Sequence, residues 1–167
     1  MIERMIGAAR LDVRTYEEVE ADGGATVQAL LVVVLVAFAT AIGGIGGGIG
    51  DILLGVVWTV VGWALWAGVT YFVGTKLLST PETEATWGQL ARTLGFAQSV
   101  GVLRVFGIIP FVGDVIFLAA AIWGFVAMVI AVRQALDYRS TRRAVGVVVI
   151  GAIPYGILLG LLKFTLG

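Results

Sequence analysis

The chain has 167 residues, 59% of them hydrophobic and only 13% charged, with a mean hydropathy of +1.02 and a formal net charge of zero. That much apolar surface exceeds what a soluble core absorbs, so a multispanning membrane protein is expected, with the lipid bilayer as its first partner. The absence of Cys and His excludes thiol chemistry, thiolate or imidazole metal sites and a Ser–His dyad, and the balanced charge argues against nucleic acid, so no metal, no cofactor and no catalytic residue is expected.

Residues 1–24 form a cytoplasmic amphipathic segment in this reading. Ile2, Met5, Ile6, Ala9, Val13 and Tyr16 recur at steps of three and four, which is one face of a helix lying in the headgroup region. Thr15 with Glu18 has capping-box spacing. The polar face carries Glu17, Glu18 and Glu20, so attachment has to come from apolar burial. Asp22-Gly23-Gly24 breaks the helix, and Thr26 is placed to cap the next one.

The rest, 25–167, reads as a single membrane domain of five spans at about 27–44, 52–77, 90–109, 114–136 and 144–166. The first runs into a glycine-rich stretch, 41–50. That stretch lacks the strand-to-helix setting and Lys of a phosphate loop, and it reads as a frayed end and tight turn before Asp51 as N-cap. The second span carries Gly55 and Gly62 near one stripe with Trp58 and Trp66. Small residues there serve close helix packing, inside the bundle or at a dimer face. Trp63 and Trp66 fall mid-span, where they pack or line a cavity. A polar linker follows at 79–85, and Trp87 then sits as an interfacial anchor.

The third segment holds Arg92, Gln98, Ser99 and Arg104 among its apolar residues and ends at Pro110 and Gly113. It either crosses or re-enters. Asp114 reads as N-cap of the fourth span, the basic loop 138–143 follows, and Pro154 should kink the fifth. If the third segment crosses, nine of the eleven Lys and Arg residues share one side, leaving Arg104 and Lys163 opposite. The positive-inside rule then sets the N-terminus in the cytoplasm and the C-terminus outside.

Three polar sets are candidates for function. Arg133, Gln134 and Asp137 end the fourth span, with Arg133 and Asp137 spaced to pair along a helix. Arg92, Gln98 and Ser99 lie in the third segment, where Gln98 and Ser99 either join helices by hydrogen bonds or line a polar path. An outer set holds Asp51, Arg104, Asp114 and Lys163, with Arg104 and Asp114 as a candidate ion pair.

The amphipathic start with RTYEEVEAD, five hydrophobic segments, the mid-chain LGFAQSVGVLRVFGIIP and the late MVIAVRQALDY together resemble prokaryotic members of the Yip domain family, named for proteins that interact with Ypt/Rab GTPases. The resemblance implies a five-span helical protein without catalytic residues. Eukaryotic members act in vesicle trafficking and membrane shaping and carry a long cytosolic N-terminal region. This chain has only about 25 residues before its first span by periodicity, so the GTPase-binding role is not carried over. The expected role is a membrane scaffold, adaptor or membrane-organising subunit that contacts other membrane proteins or itself. A small permease or channel lined by Trp63, Trp66, Gln98 and Ser99 is the alternative.

Overall fold

A computed structural model describes residues 1–44 and 48–166, and all regular elements among them are helical. The turn expected within the glycine run therefore lies partly outside the described residues. Two short helices, α1 (Ile2–Ala9) and α2 (Val13–Ala21), precede α3 (Ala25–Gly43), α4 (Ile49–Phe72), α5 (Trp87–Ala97), α6 (Gly113–Ala135) and α7 (Thr141–Leu166). Four stretches are long and apolar enough to cross a membrane: Ala25–Gly43, Ile49–Leu77, Gly113–Ala135 and Thr141–Thr165.

The N-terminal segment is a helical hairpin and not one continuous helix. Leu11 takes a left-handed backbone conformation with φ of 62°, which reverses the chain. Asp12 then caps α2 by accepting from the Arg14 amide at 3.1 Å. Thr15 is consequently not a capping residue; it is buried against Gly7. The Tyr16 hydroxyl donates to the Ala8 carbonyl at 2.9 Å, and Arg4 bridges Glu18 and Asp22 at 2.7 and 2.9 Å. The Trp123 indole, midway along α6, donates to Ala9 O at 2.8 Å. The tip of the hairpin thus rests against the side of the bundle.

Other helix starts differ from the sequence reading by a few residues. Ala25 opens α3, and Asp22 accepts from the Gly24 amide at 2.9 Å, while Thr26 donates to Gly23 O instead of capping. Gly48 is the cap of α4; Asp51 works from the third helical position, accepting from the Gly48 amide at 2.8 Å. Val112 precedes α6, so Asp114 lies in its first turn and favours the helix dipole without capping.

Two departures from regular α-helix shape the bundle. After Phe72 the second long helix widens into a π-helix over Val73–Leu77. Gly74 there lies under the Leu136 side chain, and the Tyr138 hydroxyl sits 2.9 Å from Gly74 O and 2.8 Å from Leu78 O. Arg143 donates to Leu78 O and Ser79 O at 3.2 and 2.9 Å. These donors occupy carbonyls that the widened turn leaves without regular partners.

The second departure is in the third hydrophobic segment. Its α-helix α5 opens with a capping box, Thr86 and Gln89, and passes at Gln98 into a 3₁₀-helix that runs to Ile108. Such runs rarely exceed a few residues, so packing has to hold this one. Gly95 lies against Ala29, Gly101 against Val36, and Gly43 of α3 against the backbone of Arg104 and Gly107. Both partners therefore ascend together, and the segment runs parallel to α3. Contacts recur every seven residues on α3 and every six on the segment, which is two turns of each helix type.

Leu90, Ala91, Thr93, Leu94, Phe96 and Ala97 are all buried, so α5 occupies the middle of the bundle. The outward faces are apolar instead: Ile153, Ile157, Leu161 and Phe164 on α7 and Val115, Leu118 and Ile122 on α6 are exposed. In water these rows would be costly; in hydrocarbon they are the matching surface.

Candidate functional site

At the end of the bundle where α5 begins, polar side chains bind the hairpin to the central helix. Arg92 Nε donates to Val19 O at 2.9 Å, its second terminal nitrogen donates to Glu20 O, and the first reaches Thr26 Oγ1 at 3.5 Å. The guanidinium thereby satisfies carbonyls in the last turn of α2, a place where a cation also suits the helix dipole. Gln89 donates to the Glu20 carboxylate at 2.9 Å, and Gln134 donates to Glu17 at 3.1 Å. Arg92 is accordingly separated from Gln98 and Ser99 in role.

Arg133 and Asp137 do not pair. The helix ends at Ala135, and Asp137 takes a left-handed conformation with φ of 52°, which swings it off the Arg133 face. Arg133 instead donates to Thr141 at 3.2 Å. The ion pairs among the described residues are Arg4–Glu18, Arg4–Asp22, Arg14–Asp12 and Arg139–Glu82, so Arg104 and Asp114 are not one of them.

Glu20 is half-buried in this cluster, and its carboxyl is pushed up to about 7. Burial is the main cause and the charge of Asp137 the next, with Gln89 and Arg92 opposing and Glu17 adding a little. A raised carboxyl means the docked hairpin holds the proton more tightly than the free one. Docking is therefore firmest below about 4.5, the ordinary value, and weakens as pH rises through about 7. Hydrogen exchange of residues 1–24 should be faster at pH 8 than at pH 5.5 after correction for intrinsic rates. The difference corresponds to about 1 kcal/mol once solvent screening is allowed for, and Glu20→Gln should abolish it.

Beyond the clasp, a cavity of about 790 Å³ opens between α4, the central segment, α6 and α7. Trp58, Trp63 and Trp66 of α4, Phe125 and Met128 of α6 and Tyr155 of α7 line it. Trp63 is held by a bond from its indole to Ala91 O at 2.9 Å, and Trp66 meets Tyr155 edge-on with centroids 5.0 Å apart. A second space of about 330 Å³, with Thr40, Asp51, Gly55 and Thr59 in its walls, adjoins the first. Gln98 and Arg104 line both.

The 3₁₀-helix is what brings those two together. Residues three apart eclipse in it, so Gln98, Gly101, Arg104 and Gly107 form a single row. In an α-helix, Gln98 and Arg104 would lie about 120° apart. Ser99 falls on another row and is buried, its hydroxyl without a partner among the described residues. Gly62 packs against α7, since a Cβ there would lie 2.9 Å from the Tyr155 hydroxyl. Gly55, by contrast, has nothing within 4 Å of an added Cβ, so within the chain it borders the smaller space and packs against no other helix. Tyr155 and the placement of Lys163 over Trp58, 5.6 Å from the ring centroid, were not singled out by sequence as parts of one site.

Apolar outer faces, a central polar row and long hydropathic helices define a polytopic helical protein of the membrane. The family model described as the Yip1 domain matches residues 13–162, and the chain belongs to that family. No curated protein and no solved structure matches it.

Proposed function

We propose that this Yip1-family protein is a non-enzymatic scaffold or membrane-organising subunit with five crossings. The observation that carries the reading is the hairpin α1–α2, fixed to the central segment through Arg92, Gln89 and Gln134. Its open end lies at one end of the bundle and its turn against the side of α6 at Trp123, which makes a preformed surface with Glu3, Glu17, Glu18 and Arg14 outward. The third segment counts as a crossing in this reading. Eleven residues of α-helix and eleven of 3₁₀-helix extend about 38 Å, against a hydrocarbon core of about 30 Å. Its direction parallel to α3 supports the same topology, in which the hairpin, the 79–85 linker and the 138–143 loop share the cytoplasmic side and the far end lies outside.

Crosslinking in native membranes, followed by mild extraction and mass analysis, tests the role. Photo-crosslinkers at Glu17 and Arg14 should give defined adducts with a membrane protein or a second copy. A protein that stays monomeric and uncrosslinked at both positions contradicts the reading.

A small permease is the second reading, and one observation favours it: the cavity reaches Gln98, Trp63 and Trp66. Its walls are mainly aromatic and aliphatic, which suits an amphiphile better than a hydrated solute. Liposomes carrying the protein should show no solute flux above empty liposomes, and saturable flux would install this reading in place of the first.

A further inference from the structure

The cavity has a graded lining. Its larger chamber is walled mainly by indole, phenyl and thioether groups, its smaller mouth adds Thr40 and the Asp51 carboxylate, and Thr59, Gln98 and Arg104 line both. Arg104 stands at the junction with its Nε buried and without a hydrogen-bond partner, and no carboxylate among the described residues forms an ion pair with it. An arginine so placed inside a membrane domain is costly unless an anion meets it, and its planar fork matches a phosphate. Lys163 lies over Trp58, one of the residues that line the larger chamber. The chamber volume of about 790 Å³ falls in the range of ligand pockets.

We propose that this cavity binds one glycerophospholipid, its phosphate on Arg104 and one acyl chain in the tryptophan-lined chamber. The aromatic walls supply apolar contact without directional demands, so chain length is read loosely. The headgroup is read by charge. Asp51 in the mouth gives a carboxylate for the hydroxyls or amine beyond the phosphate. The bound lipid would join α4 to α6 across the space that separates them, which makes it a structural component and not an annular neighbour.

Native mass spectrometry of the full chain in detergent, with added dioleoylphosphatidylglycerol, tests this. One lipid per chain should survive collisional activation that strips the rest. Arg104→Gln should lower the retained fraction about tenfold. Gly124→Leu should remove it, because Gly124 lines the chamber with nothing within 4 Å of an added Cβ, so the larger side chain starts into open space there. In lipid-free detergent both variants should melt within a few degrees of the parent protein, and added lipid should raise the melting temperature of the parent alone. Dioleoylglycerol, which lacks the phosphate, should be retained at the level of Arg104→Gln. Equal retention by the parent and Gly124→Leu would mean annular lipid only, and equal retention of the two lipids would mean no phosphate site; either result overturns the proposal.

Discussion

Gly95→Val should destabilise the bundle by about 3 kcal/mol or more, and Gly156→Val by far less. At Gly95 an added Cβ would lie 2.8 Å from the Ala29 Cβ, 3.2 Å from its carbonyl oxygen and 3.3 Å from its Cα. None of these is the end of a flexible side chain, so α3 and the central segment have to part. Overpacking of this kind costs about 1–3 kcal/mol where side chains can adjust, and more where backbone is the obstacle. Gly101→Ala sets a lower rung: its Cβ would meet the Val36 Cγ1 at 2.5 Å, and a valine rotamer change relieves part of that. Gly156 has open space around it. Thermal melts in detergent should rank the three as Gly95→Val lowest, then Gly101→Ala, then Gly156→Val near the parent. For a chain of this size each kcal/mol moves Tm by about 2–4 °C.

The second large effect is at Arg92. Its guanidinium bonds to two α2 carbonyls and balances part of the charge around Glu20. Arg92→Ala leaves those carbonyls without a donor and Glu20 without its cation. Hydrogen bonds to charged groups contribute about 1.5–3 kcal/mol each, so the hairpin should loosen by about 2–3 kcal/mol. Exchange protection of residues 13–21 should fall about 30- to 150-fold, while α6 and α7 stay protected. Arg92→Lys should recover only part, since one ammonium cannot reproduce the fork. Unchanged protection in Arg92→Ala would show that apolar contacts of Tyr16 and Val19 alone hold the hairpin.

Much of this was legible in the residues. Hydropathy located the long helices to within a few positions, because a membrane span has to satisfy its backbone internally and leaves few other solutions. Of the apolar face read along the first 21 residues, Tyr16 is buried, but Ile2 and Ile6 stay exposed, because the segment folds back as two helices instead of one. The reversal at Leu11 was not, since no glycine or proline marks it; a leucine with φ of 62° is chosen by packing and not by propensity. The cap positions near Thr26, Asp51 and Asp114 shifted because neighbouring glycines and Val112 let each helix start earlier.

The candidate site was half visible. Trp63, Trp66 and Gln98 do border one cavity, but the partner of Gln98 there is Arg104 and not its neighbour Ser99. Periodicity read at 3.6 residues per turn separates them; three per turn aligns them. Gly95, Gly101 and Gly107 carry that spacing in plain view, yet a six-residue glycine step has no meaning until the helix type is known. Arg133 and Asp137 illustrate the converse: correct spacing for an ion pair, undone because the helix stops between them.

The topology can be read with one labelling experiment, since the chain has no cysteine to remove. Pro81→Cys and Ile109→Cys place single thiols at exposed positions before and after the central segment. In sealed, oriented vesicles an impermeant maleimide should reach one of these from outside and the other only after permeabilisation. Labelling of both from the same side would contradict a third segment that crosses.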